Sequence, residues 1–234
     1  MKKLLYIGIL FLITLTSCEK PEEVPPVTLE ARQEIANLYG CRVFINIKPN
    51  ARTINGKKTH LEVLLREGKA LDYPAVSYVG SNASLIAYLG MSKVERDKHT
   101  HIQCVIEDEE ETESFKSYIS SLQNMENLLP QVNQMDSILR SGKYEDLNEL
   151  MTPFAKEKLG EELISQLKAE EEEKGKVTEI QSLGYKLGKS KLDGKSFMAA
   201  SWMFLVKRVD KNTSLELVLP VNAEEKRILG IRIP

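Results

Sequence analysis

Three histidines are the first residues of this chain whose types and spacing could support chemistry. His99 and His101 lie two apart in HTHIQCVIED, and His60 stands beside Glu62 in THLEVLLRE. Both stretches alternate apolar and polar residues as strands do, so His99 and His101 share one face, and His60 and Glu62 share another. Were the two strands neighbours, three imidazoles and a carboxylate would converge as a zinc site needs. The spacing does not require this, and the plainer expectation is three histidines on a solvated sheet face with no metal. Cys41 and Cys104 fall on the apolar faces of strands. A disulfide between them would need those strands adjacent and in register, whereas buried free thiols ask for nothing more and are the favoured reading. Neither has a basic neighbour placed to make it a nucleophile. The acidic runs EDEEETE at 107–113 and EEEEK at 170–174 lack the Asp/Asn and glycine pattern of a calcium loop and read as a turn and a solvated helix end. There is no Gly-rich phosphate loop, no G-x-S-x-G elbow and no C-x-x-C pair, so no catalytic residue is nominated and no cofactor is expected.

The remaining cysteine poses a different question. The chain opens MKKLLYIGILFLITLTSC, with two lysines, an almost purely apolar run from Leu4 to Leu15, and then small residues. Twelve helical residues rise only ~18 Å, short of the ~30 Å hydrocarbon core, so the run reads as an export signal over residues 1–17 rather than a spanning helix. Leu15-Thr16-Ser17-Cys18 resembles the lipobox of bacterial lipoprotein signal peptides, in which a leucine, two small residues and a cysteine are read by a dedicated peptidase. The resemblance implies that Cys18 receives a diacylglycerol thioether and that the signal is cut before it, which opens the new amino terminus to acylation; several acyl chains anchor stably where one does not. An ordinary secretory signal with an incidental cysteine is the alternative. Glu19 is not the aspartate that tends to hold lipoproteins at the inner membrane in enteric bacteria, so the outer membrane is the expected site in a Gram-negative source.

Residues 18–28 continue with acids and three prolines, EKPEEVPPV, a stiff tether that would hold the body off the bilayer. The body begins at Leu29 with a short helix ending near Gly40. CRVFINIK and THLEVLLRE flank Asn55-Gly56 as a hairpin. A helix over 76–89 follows, then the histidine strand and, across an acidic turn at Asp108–Glu111, TESFKSYISS, where Phe115, Ser117 and Ile119 alternate as in a strand while Phe115, Tyr118, Ile119 and Leu122 fit a helix; a strand pairing back is the favoured reading. A small N-terminal α+β domain over 29–127 is the result. From about 130 the order reverses, helices first and strands after. Val132, Met135, Ile138 and Leu139 form one stripe to Gly142, and Tyr144, Leu147 and Met151 a second. Thr152-Pro153 caps a third helix running to about Lys174. Beyond Gly175 the period changes to two and four strands follow, with turns at Asp193-Gly194, Lys211-Asn212 and Asn222-Ala223.

Three helices carrying SGKYEDLNELMTPFAKEKL, then an antiparallel sheet closing on LGIRI, is a pattern similar to the nuclear transport factor two-like fold, a cystatin-like cone of helices and sheet around a pocket. The resemblance covers residues 130–234 and rests on the Gly142-Lys143-Tyr144 turn, the Leu150–Pro153 junction and the last strand. It implies an α+β architecture that hosts enzymes, ligand carriers and assembly modules alike. Enzymes of that fold place an acid, histidine or tyrosine deep in the cone. Here all three histidines lie in the first half, and Glu179 and Glu216 alternate with apolar neighbours and are expected to face water. Tyr144, Phe154, Tyr185, Trp202 and Phe204 would line a pocket for an apolar ligand; filling the core is the plainer role for them.

The net charge is −2, and with Lys2 and Lys3 in the signal the rest carries −4, a weak field of the wrong sign for nucleic acid. The sequence therefore points to an α+β envelope lipoprotein, held to the membrane by a lipid on Cys18. Its body would bind a protein partner or a small apolar ligand without turning it over. An enzyme using the C-terminal cone and a structural spacer of the envelope remain the alternatives.

Overall fold

The computed structural model describes residues 25–68, 76–107, 111–192, 195–221 and 227–233. The expected export signal, Cys18, the expected tether up to 24, and the expected turns at 108–110, Asp193-Gly194 and Asn222-Ala223 lie outside the described residues.

Helix α1 (Leu29–Tyr39) starts at Thr28, whose hydroxyl accepts from the Ala31 amide, and stops at Gly40 with φ of 58°, a left-handed conformation that glycine adopts without a Cβ penalty. Strands β1 (Arg42–Ile54) and β2 (Lys57–Arg66) pair antiparallel around Asn55-Gly56. Both turn residues have positive φ, 50° and 76°, as a tight hairpin turn whose twist matches its strands requires. Helices α2 (Val76–Leu89) and α3 (Lys93–Lys98) then cross over to β3 (His99–Glu107), which runs parallel to β2. Strand β4 (Thr112–Tyr118) returns antiparallel to β3, and α4 (Ile119–Glu126) closes this half. The sheet order is β1-β2-β3-β4.

The second half begins at α5 (Leu129–Ser141), ended by Gly142 at φ of 71°. The stripe expected to form a second full helix makes only a 3-10 turn, Tyr144–Asp146, and the single turn α6 (Leu147–Leu150). Helix α7 (Pro153–Lys174) has Thr152 as its cap, the hydroxyl accepting from the Ala155 amide at 3.2 Å, and Pro153 in its first turn. Strands β5 (Val177–Leu192), β6 (Lys195–Arg208), β7 (Thr213–Pro220) and β8 (Gly230–Arg232) form a second, wholly antiparallel sheet in chain order. The molecule is thus α+β, a mixed sheet with its helices followed by helices and an antiparallel sheet.

The two halves meet along α2. From Val79 to Tyr88 nearly every residue of that helix is buried, because it has a sheet on either side: Phe115 of β4 lies against Gly80, and β5 lies against Tyr78. Helices apolar all round are core helices, and Gly80, Ser81, Ala83, Ser84 and Ala87 keep this one thin enough for both neighbours. Strand β5 carries an irregularity between Ser182 and Gly184 where α2 docks. Gly184 has φ of 131°, and a Cβ there would stand 2.0 Å from the Tyr78 carbonyl oxygen. One continuous buried cluster runs from Ile35 and Leu61 in the first half to Trp202 and Leu217 in the second.

Candidate functional site

A groove opens where α1, α2, α5, β5 and β6 come together. Its volume is about 410 Å³, within the range of small-molecule sites. Leu85 and Ile86 from α2, Val132 from α5, Ile180 from β5 and the rings of Trp202 and Phe204 from β6 line it. An open recess continues along α1 past Glu34 and Leu38 to Gln181 and Lys207. The rings pack as a row, Tyr185 to Trp202 at 5.5 Å between centroids and Trp202 to Phe204 at 6.2 Å.

The polar groups at the base of the groove are engaged with one another. The irregular step in β5 leaves backbone groups without ladder partners, and α2 supplies them. Asn82 Nδ2 donates to the Ser182 carbonyl at 3.1 Å and to the Tyr39 hydroxyl at 3.0 Å, while Ser182 Oγ donates to Asn82 Oδ1 at 3.0 Å. Trp202 Nε1 donates to Ser182 Oγ at 2.8 Å, and the Tyr185 amide donates to Ser81 Oγ at 3.0 Å. Buried polar groups satisfied in this way fix the geometry of their surroundings. Charges sit at the rim: Arg140 donates to both Asp136 carboxylate oxygens, at 2.8 and 3.0 Å, and Lys207 donates to Glu179 at 3.0 Å.

Of the five aromatic residues expected to share a pocket, Trp202 and Phe204 line this groove. Tyr185 packs against Trp202 but faces a second recess with Phe115, Tyr118 and Ser81. Tyr144 lies elsewhere, buried under α7, with its hydroxyl donating to Glu171; burial first and that carboxylate second push its pKa up to about 12. Phe154, in the first turn of α7, is 42% exposed. Glu216 was expected to face water with Glu179. Instead its side chain is mostly covered, receiving hydrogen bonds from Ser201 and Arg232, because β6 and β8 flank β7 on both sides. Glu179, beside the groove, is half exposed.

The histidines are not on a solvated face. His99 and His101 are 1% and 4% exposed. The His60 ring stacks on His101 with centroids 4.5 Å apart and planes 7° from parallel, and Tyr118 covers the other side at 6.1 Å. Alternation along one strand reports which way His101 points, but the rings of the flanking strands decide whether water reaches it. Each Nδ1 has a partner: Asn50 Oδ1 for His60, Thr59 Oγ1 for His99 and Thr100 Oγ1 for His101. Burial lowers all three pKa values, that of His101 to about 4, with Lys116 and the other two imidazoles adding to it. Among the described residues no group of three or more His, Cys, Asp or Glu is arranged to hold a metal ion.

Cys41 and Cys104 are free and buried. Cys104 pairs with Val63 and Val63 with Ile45, so Cys41 sits two strands away and four residues, roughly 13 Å, further along. That separation is beyond the span of a disulfide. Burial raises both thiols, Cys41 to about 11. No family model, curated protein or solved structure matches the chain.

Proposed function

We propose that the chain is a lipid-anchored protein of the bacterial cell envelope, tethered through Cys18, whose body is a non-catalytic binding or assembly module. The groove between the halves takes a small apolar ligand or an apolar segment of a protein partner. The observation that carries this reading is the groove itself: aliphatic side chains and the Trp202 and Phe204 rings form its walls, while the polar groups beneath are hydrogen-bonded to one another. The rim carboxylates Asp136 and Glu179 are paired with Arg140 and Lys207. Such a site offers burial of apolar surface, and the Asn82 and Ser182 side chains beneath it are committed to holding α2 on β5, while Glu34, Asn133 and Gln181 also line it. The order of helices and antiparallel sheet in the second half is in keeping with the nuclear transport factor two-like resemblance, whose members include ligand carriers. No described helix is long and apolar enough to cross a membrane, and the lipid on Cys18 would supply the attachment.

Titration of the protein with an environment-sensitive apolar fluorophore tests the groove, with Trp202 as energy donor. Leu89 borders the groove and is partly exposed, so Leu89→Glu places a charge at the site without emptying the core. The expected result is saturable uptake that the substitution weakens about tenfold or more, since a charge must be desolvated against an apolar ligand. Uptake that is unchanged in the variant would remove the groove as the binding site.

A further inference from the structure

The β1–β2 hairpin extends past the rest of its sheet. Strand β3 begins at His99 opposite Thr59, so residues 50–58 project beyond it. The segment from Lys48 to Lys58 carries Lys48, Arg52, Lys57 and Lys58 and no acidic residue, and all but Asn50 and Lys57 are exposed. Its base is braced: Asn50 Nδ2 donates to the Thr59 carbonyl at 3.1 Å and to Thr100 Oγ1 at 3.2 Å, and Lys57 Nζ donates to the His99 carbonyl at 3.0 Å. Ile47 continues the inward row of Val43 and Ile45, yet it is 53% exposed, and Ile54 is also exposed.

Two further apolar side chains lie at the same end of the molecule. Val94, in α3, is 67% exposed, and Leu29, at the start of α1, is 68% exposed. Continuous contacts join these pieces. The Thr28 amide donates to the Gly90 carbonyl at 3.0 Å, α3 follows three residues later, and Thr59 Oγ1 donates to the Lys98 carbonyl at 3.3 Å. The chain therefore enters the fold at the end that bears the basic hairpin. Thr28 stands only ten positions after Cys18, which limits the reach to ~35 Å even when fully extended. Acids are present here too, Glu30 on α1 and Glu95 and Asp97 on α3; Glu95 is taken up by Lys98, and on the hairpin Glu62 pairs with Lys48 at 3.5 Å, while residues 49–58 hold no acid to offset Arg52 and Lys58.

We propose that this end of the molecule, the Lys48–Lys58 hairpin with Val94 and Leu29 beside it, is a membrane-contact face that docks on an anionic phospholipid surface. The proposal rests on the lipid-anchor reading for the side from which the bilayer is met. Exposed aliphatic side chains among lysines and arginines are the composition of an interfacial contact, in which the apolar groups enter the headgroup layer while the charges face the lipid phosphates. A tether of ten residues keeps the hairpin within reach of that surface, and the cationic hairpin complements it where the acidic remainder of the protein does not. The contact holds the body in one orientation, with the far end of β5 away from the bilayer. That end lies by the opposite terminus of α2, where Lys186 Nζ stands 4.5 Å from the Tyr78 ring centre.

The test uses the full chain in vesicles, with a bimane probe at Thr53→Cys or, for comparison, at Lys189→Cys, and nitroxide-bearing lipid as quencher. Cys41 and Cys104 are buried and do not compete for label. In vesicles containing phosphatidylglycerol the hairpin probe is expected to be quenched at least about threefold more than the probe at 189. That excess should disappear in phosphatidylcholine vesicles, at high salt, and in Arg52→Glu/Lys58→Glu, two exposed sites whose replacement leaves the melting temperature unchanged. Equal quenching at the two positions, or hairpin quenching that ignores lipid charge, overturns the proposal. So does a hairpin shielded by a double-stranded oligonucleotide and not by lipid, which would assign it to nucleic acid. Intact mass is read on the same sample. The same pair of probes is read in a Cys18→Ser background, which offers the label no third thiol and is still held by its apolar residues 4–15, so failure of the anchor and failure of this face are distinguished.

Discussion

His101 shows how much of a side chain's chemistry depends on its neighbours. Burial under the His60 and Tyr118 rings, with Lys116 nearby, holds its pKa at about 4 against an ordinary 6.5. The unfolded chain therefore binds a proton as pH falls through 6.5 while the folded chain does not until about 4, so stability is lost across that window as the medium acidifies. Allowing for screening near the sheet surface, the loss between pH 7 and pH 5 is about 1–2 kcal/mol. Urea unfolding at the two pH values measures it, and His101→Gln is expected to flatten the dependence, leaving a shallower slope from His60 and His99. A variant with the wild-type slope would show that another group is responsible. Alternation in HTHIQCVIED makes the side of the strand readable in the sequence. The covering rings come from strands about 40 residues earlier and 17 later, and no local pattern records that. For the same reason Phe154 looks like any other aromatic in the sequence, although its place in the first turn of α7 leaves it in water.

Local rules sufficed for most elements because each has a chemical signature confined to a few residues. Thr152-Pro153 begins α7, Asn55-Gly56 closes the β1–β2 hairpin, Gly40 and Gly142 end their helices, and the change of period after Gly175 opens the second sheet. The irregular step at Ser182–Gly184 was hidden, since Leu-Gly within an apolar strand has several meanings; only the approach of α2 explains it. Gly184→Ala tests that approach. The added Cβ would meet the Tyr78 carbonyl and must adopt a φ of 131°, so a loss of about 3 kcal/mol or more is expected in denaturant unfolding. Gly188→Ala, on the same strand with open space around it, is expected to change stability by less than about 1 kcal/mol. Equal effects at the two glycines would contradict the close packing of α2 on β5.

The whole molecule follows from α2 having sheets on both sides. Its run VSYVGSNASLIAYL, uncharged on all sides and rich in small residues, is the one sequence sign that the halves share a core, and it is a weak sign without knowing what would cover it. The groove arises at that junction, from residues spread between Glu34 and Phe204, which is why aromatic residues chosen from the second half alone locate only part of it. The proposed binding at the groove and the proposed contact of the basic hairpin with lipid both gain their meaning from the proposed attachment at Cys18. The decisive measurement is accordingly intact mass together with membrane fractionation of the expressed protein, wild type beside Cys18→Ala. A mass increment of lipid size on a chain beginning at Cys18, with membrane association, both lost in the variant, is the predicted result. A variant that matches wild type in mass and in location would contradict the anchor, and with it the envelope function built upon it.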